Sequence, residues 1–217
     1  MDRRIAQVVL AVGRQLEGSI QLLGTGFALG GSKLATTAHV TGPSDKDLCV
    51  VLPKIKTLDD YQDTTDNNVQ THPARIAAYD PVRDIAILEL QGAEFTTGYK
   101  IGASDMASMG APVVSLGYPH ADHGRLVLTQ QQSAVGARVV LGKNGIKTKH
   151  LILNVQARPG QSGSPVFTID GTSVVAMIIG SYAPGGGGGI SLGGIDPHTL
   201  HQTTHAISAE YLPGLLG

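Results

Sequence analysis

The chain has 217 residues, with 16 Lys and Arg against 17 Asp and Glu and a formal charge of −1. That length is enough for one large domain or a two-barrel unit with a substantial core, and the balanced charge, with no basic run, excludes a nucleic-acid surface. Abundant glycine, few helix-period segments and no apolar run long enough to span a bilayer point to an all-β, turn-rich chain with no membrane role. From the start, apolar residues at 5, 8, 9, 12 and 16 fall on one face of a helix, which predicts an amphipathic helix over about 3–16. Two arginines before a short apolar stretch suggest a signal sequence. Gln7 and Gly13 interrupt it, and Arg14-Gln15-Leu16-Glu17 replaces a small-residue cleavage site, so a cytoplasmic protein is expected. Strands are then predicted near 18–23, 25–30, 33–37, 48–52, 74–79 and 85–90. A second set follows near 112–117, 125–135, 149–156, 164–169, 173–180 and 203–207, and a short helix over 208–215 ends the chain.

Cys49 is the sole cysteine, so no internal disulfide forms. It lies in the apolar strand Leu48-Cys49-Val50-Val51-Leu52 and reads as a small buried hydrophobe. The loop from Pro53 to His72 is rich in Asp59, Asp60, Asp63, Asp66, Asn67 and Asn68. It lacks the glycine and terminal glutamate of an EF-hand and reads as a solvated loop. A second loop, Ser181 to Gln202, holds five consecutive glycines, Gly185–Gly189, and is expected to be mobile without substrate. His198, His201 and His205 have spacings of three and four but no helix to align them and no cysteine partner, so no metal or cofactor is expected. His120 and His123 read as exposed loop residues.

Three segments carry chemistry. Arg158-Pro159-Gly160-Gln161-Ser162-Gly163-Ser164-Pro165 places a serine between glycines before an apolar strand. A serine hydroxyl needs a base to take its proton and backbone N–H groups to hold the oxyanion. Glycine at 160 lets the chain turn N–H groups inward, so Gly160 and Ser162 would form that hole with Gln161 between them. Leu34-Ala35-Thr36-Thr37-Ala38-His39-Val40 sets a histidine at a strand end. Asp84 opens the apolar strand Ile85-Ala86-Ile87-Leu88-Glu89-Leu90, which would bury it. Each residue alone has a bland reading: a satisfied histidine, a strand cap, a turn serine. Together, in the order His39, Asp84, Ser162, they follow the chymotrypsin-type arrangement.

These segments resemble the trypsin-like peptidases of the HtrA type, with His39 in a Thr-Ala-His-Val motif, Asp84 in Asp80-x-x-x-Asp84-Ile-Ala-Ile-Leu, and Ser162 in Pro-Gly-Gln-Ser-Gly-Ser-Pro. Val114–Pro119 resembles the family's strand ending in Gly-Tyr-Pro, Asp170–Met177 its hairpin, and Thr204–Ser208 its closing strand. The Gly-Ser-Pro-Val-Phe ending is also similar to bacterial glutamyl endopeptidases. The resemblance runs from about Gly24 to the C-terminus, with no PDZ sequence within these residues. It implies two antiparallel six-stranded β-barrels, a first over 17–95 and a second over 112–207. A linker over 96–111 joins them, with a leading helix at 1–16 and a final one at 208–217, all in one peptidase domain over 1–217.

The resemblance further implies a serine endopeptidase acting on protein or peptide, with His39 as base, Asp84 orienting it and Ser162 as nucleophile. Gln161 stands where trypsin has the aspartate that pairs with a released amino terminus. Activity is therefore expected to depend on loop ordering, with a regulatory partner docked on the leading helix as one route. Gln156, Ala157, Gly180 and His205 are placed in the specificity pocket. No carboxylate stands there for Lys or Arg, so a small apolar residue or a glutamate is expected before the scissile bond, apolar slightly ahead. The alternative is a catalytically silent module that binds peptide or a partner protein.

Overall fold

A computed structural model describes residues 2–182 and 203–216. The expected mobility of the glycine run, and His198 and His201, lie outside the described residues. Strands β1 (Val9–Leu16), β2 (Ser19–Gly30), β3 (Lys33–Thr36), β4 (Leu48–Val51), β5 (Thr71–Asp80) and β6 (Ile85–Leu90) close an antiparallel barrel in the order β1-β2-β3-β6-β5-β4. After β7 (Lys100–Ile101) come β8 (Pro112–Gly117), β9 (Thr129–Lys143), β10 (Ile146–Leu153), β11 (Pro165–Thr168), β12 (Ser173–Tyr182) and β13 (Thr203–Ser208). These six form a second ring in the order β11-β8-β9-β10-β13-β12, closed by the β11–β12 pairing, and β7 adds a short parallel edge to β12. The expected pair of six-stranded barrels is present.

The first barrel reaches six strands by a different route. The expected helix over 3–16 is a 3-10 turn, Arg3–Val8, followed by strand β1. Val9, Leu10, Ala11 and Val12 are all fully buried, between β2 and β4. A run buried on every side carries no reliable period, and two β-branched valines favour the strand once partners flank it. The segment is therefore not free to serve as a docking helix. The two strands expected at 18–23 and 25–30 are one strand, β2. Gly24 does not break it: a Cβ there would lie 2.6 Å from Val40 and 3.0 Å from the Ser162 carbonyl, so the glycine marks a close approach.

In the second barrel, β9 and β10 meet at Asn144-Gly145, whose φ values of +52° and +77° suit a two-residue hairpin. The expected boundaries at 135 and 149 leave that signal out and miss the hairpin's length. The final segment forms two 3-10 turns, Ala209–Tyr211 and Pro213–Leu215, and not one helix.

The barrels share one apolar cluster. Val9, Phe27 and Ile85 from the first pack with Tyr118, Phe167 and Met177 from the second. Burying each large side chain there contributes roughly 1.5–3 kcal/mol. Buried polar tips are matched across the seam: Tyr118 Oη donates to the Val9 carbonyl at 3.0 Å, and Tyr99 Oη to the Ala28 carbonyl. Tyr99 also meets Phe167 edge-on at 5.2 Å. The connection between barrels is thus pinned to both, which holds the loops at the seam in a fixed relation.

Candidate active site

The histidine and aspartate meet by local backbone geometry. After β3 the chain makes a single α-turn, Ala38–Thr41, that carries His39. Across from it, the turn between β5 and β6 is built by Asp80, whose carboxylate accepts the Val82 and Arg83 N–H groups at 3.0 Å each. Asp84 follows with φ +60°, a left-handed conformation that aspartate tolerates better than most residues. Its carbonyl accepts the Ala38 N–H at 3.2 Å, its Oδ1 the His39 N–H at 2.9 Å, and its Oδ2 lies 2.6 Å from His39 Nδ1. An ionised carboxylate only accepts, so Nδ1 carries the proton and Nε2 presents a lone pair. The His39 side chain is half exposed and that of Asp84 a quarter exposed, less buried than its strand-opening position suggests.

Ser162 sits in a turn whose glycines have no room for side chains. Gly160 and Gly163 both have φ of +89°; a Cβ on Gly160 would lie 2.4 Å from the Tyr118 carbonyl, and one on Gly163 1.9 Å from that of Thr25. The Pro159 carbonyl accepts the His120 N–H at 2.6 Å. In a trans peptide the following N–H points the opposite way, so this bond aims Gly160 N–H away from His120. Among the described residues neither the Gly160 nor the Ser162 N–H has an acceptor in the protein. Two neighbouring free donors at a partly buried turn are uncommon and suit an anion or a developing oxyanion.

Thr25 ties this turn to the first barrel. Its N–H donates to the Ser162 carbonyl at 2.9 Å, and its hydroxyl donates to the Gly160 carbonyl at 2.8 Å and accepts the Tyr118 N–H at 3.1 Å. Ser162 Oγ stands 3.5 Å from the Ile179 carbonyl, and among the described residues it makes no hydrogen bond to His39. Ile179, His39 and Asp84 line one cavity of about 690 Å³, which also touches Tyr79, Leu141 and His150. The structure therefore brings His39 and Asp84 into direct contact, and Ser162 touches Ile179, one of the residues lining their cavity.

A family model for the trypsin-like peptidase domain matches residues 24–177. The chain belongs to the trypsin-like peptidase family. Solved structures of similar fold include the active form of the Rv3671c protease from M. tuberculosis, at 20% identity and TM-score 0.69, covering 98% of this chain and 80% of that one. The MamO protease domain from Magnetospirillum magneticum is similar over 99% of this chain and 98% of that chain, at 16% identity and TM-score 0.70. An HtrA-type protease, AlgW, with tripeptide, is similar over 97% of this chain and 59% of that chain, at 16% identity and TM-score 0.67. A search of curated proteins finds no match.

In this peptidase domain the expected pocket residues fall as follows. Gly180 on β12 pairs with His205 on β13, which is half-buried. Ala157 is buried, with its N–H donating to Thr204 Oγ1 at 2.7 Å, and Gln156 beside it is half-buried. Burial pulls the His205 pKa below its ordinary value. His150 is pulled to about 4, by burial first and then by nearby His205, so both rings are neutral near pH 7. His123 is exposed as expected, whereas His120 is partly covered and its backbone serves the Pro159 contact. Aspartates of the 53–72 loop have partners within the protein. Asp59 pairs with Arg3, Asp60 accepts the Lys56 and Thr57 N–H groups, and Asp66 pairs with Lys54. Among the described residues no group of three or more His, Cys, Asp or Glu is arranged to hold a metal. None of their helices is long and apolar enough to cross a membrane.

Sequence reasoning missed Thr25 and the His120 N–H. Only Thr25 had a local signal. It lies between Gly24 and Gly26, and two glycines in an apolar strand mark a close backbone approach.

Proposed function

We propose that the chain is a serine endopeptidase that works through an acyl-enzyme on Ser162. The observation that carries this reading is the pairing of a tautomer-fixed His39 with two free N–H donors on the turn that holds the serine. Ser162 Oγ attacks the scissile carbonyl carbon and its proton passes to His39 Nε2. The carbonyl oxygen, now negative, accepts from Gly160 and Ser162 N–H. Collapse of this intermediate expels the amine, which takes the proton from Nε2. Water then repeats the sequence on the acyl-enzyme, releasing the acid and restoring the serine. Ser162 Oγ lies 3.5 Å from the Ile179 carbonyl; substrate-free sites commonly hold the serine–histidine bond long and tighten it on binding.

The same contact is the one observation that favours a catalytically silent module. A fluorophosphonate probe, together with hydrolysis of casein, decides between them. The active enzyme labels on Ser162 and cleaves casein in excess EDTA. Absence of labelling and cleavage would leave the silent module. Loss of activity in EDTA, restored by zinc or calcium, would mean a metal site has been misread.

For the residue before the scissile bond, the proposed pocket of Gln156, Ala157, Gly180 and His205 offers no carboxylate. A buried Lys or Arg there would be an unpaired charge, which is costly. His205 can offer a glutamate a hydrogen bond, whereas a small apolar residue needs no partner and is expected slightly ahead of glutamate. Profiling with a peptide library is expected to show little cleavage after Lys or Arg. Dominant cleavage there would refute the pocket, and a glutamate preference lost in His205→Phe would promote the glutamyl reading.

A further inference from the structure

The turn that carries the proposed oxyanion donors is held from behind by a pair of amide side chains. Gln161 is fully buried. Its Oε1 accepts the Arg158 N–H at 2.7 Å, while its own N–H donates to the Arg158 carbonyl at 3.0 Å. Residues 158 and 161 are thus joined twice, and the ring so formed encloses the Pro159–Gly160 peptide. That peptide's N–H is the donor whose direction matters, because a flip would turn the Pro159 carbonyl toward the hole.

The ring closes only with one orientation of the Gln161 carboxamide. Turned over, its NH₂ would face the Arg158 N–H, donor against donor. Gln131, on β9, selects the orientation: Gln161 Nε2 donates to Gln131 Oε1 at 2.7 Å. Gln131 lies within the ladder, opposite Ser115 of β8, so its backbone is fixed by the second barrel itself. Both partners are neutral, so the pair needs no buried charge to be neutralised. A carboxylate at position 161 would need a cation brought to it.

We infer that Gln131 is a positioning residue that keeps the oxyanion turn assembled in the chain as made, with no released amino terminus or bound activator needed to order it. This inference rests on the serine-peptidase reading and specifies its regulation: the latch is internal and neutral.

The test compares the full chain with Gln131→Leu, which keeps bulk and removes the acceptor, and Gln131→Glu, which restores one. The readouts are kcat and KM on a fluorogenic peptide, affinity for a peptide aldehyde that forms a tetrahedral adduct with the serine, and thermal midpoint. Losing an oxyanion donor outright costs roughly 100- to 1,000-fold in kcat. Loosening the turn is expected to cost about 10- to 100-fold with KM within about twofold. Aldehyde affinity should fall by the same factor as kcat, because both depend on the hole, not on ground-state binding. Gln131→Glu is expected to recover most of the loss, with all midpoints within a few degrees.

An active wild type beside a Gln131→Leu variant of equal kcat would overturn the inference alone. So would a loss of activity that tracks a loss of thermal stability and is not rescued by Gln131→Glu. A wild type that labels and turns over only after an added activator would overturn the self-assembled turn while leaving the peptidase reading intact. A wild type that neither labels nor cleaves under any condition would overturn both.

Discussion

Ser162→Ala is expected to lower turnover by about a million-fold, the cost of removing a triad nucleophile, while the fold stays intact. The hydroxyl's sole protein partner among the described residues is the Ile179 carbonyl at 3.5 Å, the outer limit of a hydrogen bond. Alanine keeps the Cβ and the backbone, including the bond from Thr25 N–H to the residue 162 carbonyl at 2.9 Å. The thermal midpoint should therefore move by no more than a degree or two, since a marginal bond is worth a small fraction of a kcal/mol. The measurement is kcat on casein or a peptide alongside thermal unfolding of both proteins. Cleavage that persists in a folded variant would remove Ser162 from the mechanism.

Asp84→Asn should cost about ten-thousand-fold in kcat, the scale seen when a triad aspartate is made neutral with its geometry kept. The reason lies in how both oxygens are used. Oδ1 takes the His39 backbone N–H and Oδ2 faces Nδ1. In asparagine one oxygen becomes NH₂. If the remaining oxygen keeps the backbone N–H, the NH₂ faces Nδ1 and forces the proton to Nε2, the atom that must accept from serine. Asparagine adopts left-handed backbone as readily as aspartate, so the φ of +60° at this position adds no new strain. Alanine would lose that tolerance and confuse backbone strain with chemistry. Rate measurements on Asp84→Asn near neutral pH check this, with folding followed by circular dichroism. A loss below about tenfold would mean that Asp84 does not set the tautomer.

Much of the architecture was legible because its signals are local. The strands at 85–90 and 112–117 fall where they were expected, since each is a short apolar run bounded by an aspartate, a proline or a glycine. The boundaries that failed lie where a local pattern fits two structures. Residues 9–16 satisfy a helical face and a buried strand equally, and only the flanking strands β2 and β4 decide. The Asn144-Gly145 turn shows the reverse: a strong local signal fixes the β9–β10 register and lengthens both strands beyond their apolar stretches.

By itself the sequence determined which residue types are available for chemistry and their order: a histidine after β3, an aspartate opening β6, and a serine among glycines. It also singled out Gly160 as the residue that lets the chain turn its N–H groups inward. Tertiary structure alone decided what surrounds them. Thr25 reaches Gly160 across 135 positions of chain, and Gln161 reaches Gln131 across 30. The His39–Asp84 bond spans 45 positions and exists because two unrelated turns arrive at the same seam. Hydrogen-bond partners so distant leave no period or spacing in the sequence. They are set by barrel closure and the shared core, which bring distant donors and acceptors within 3 Å only once the chain is packed.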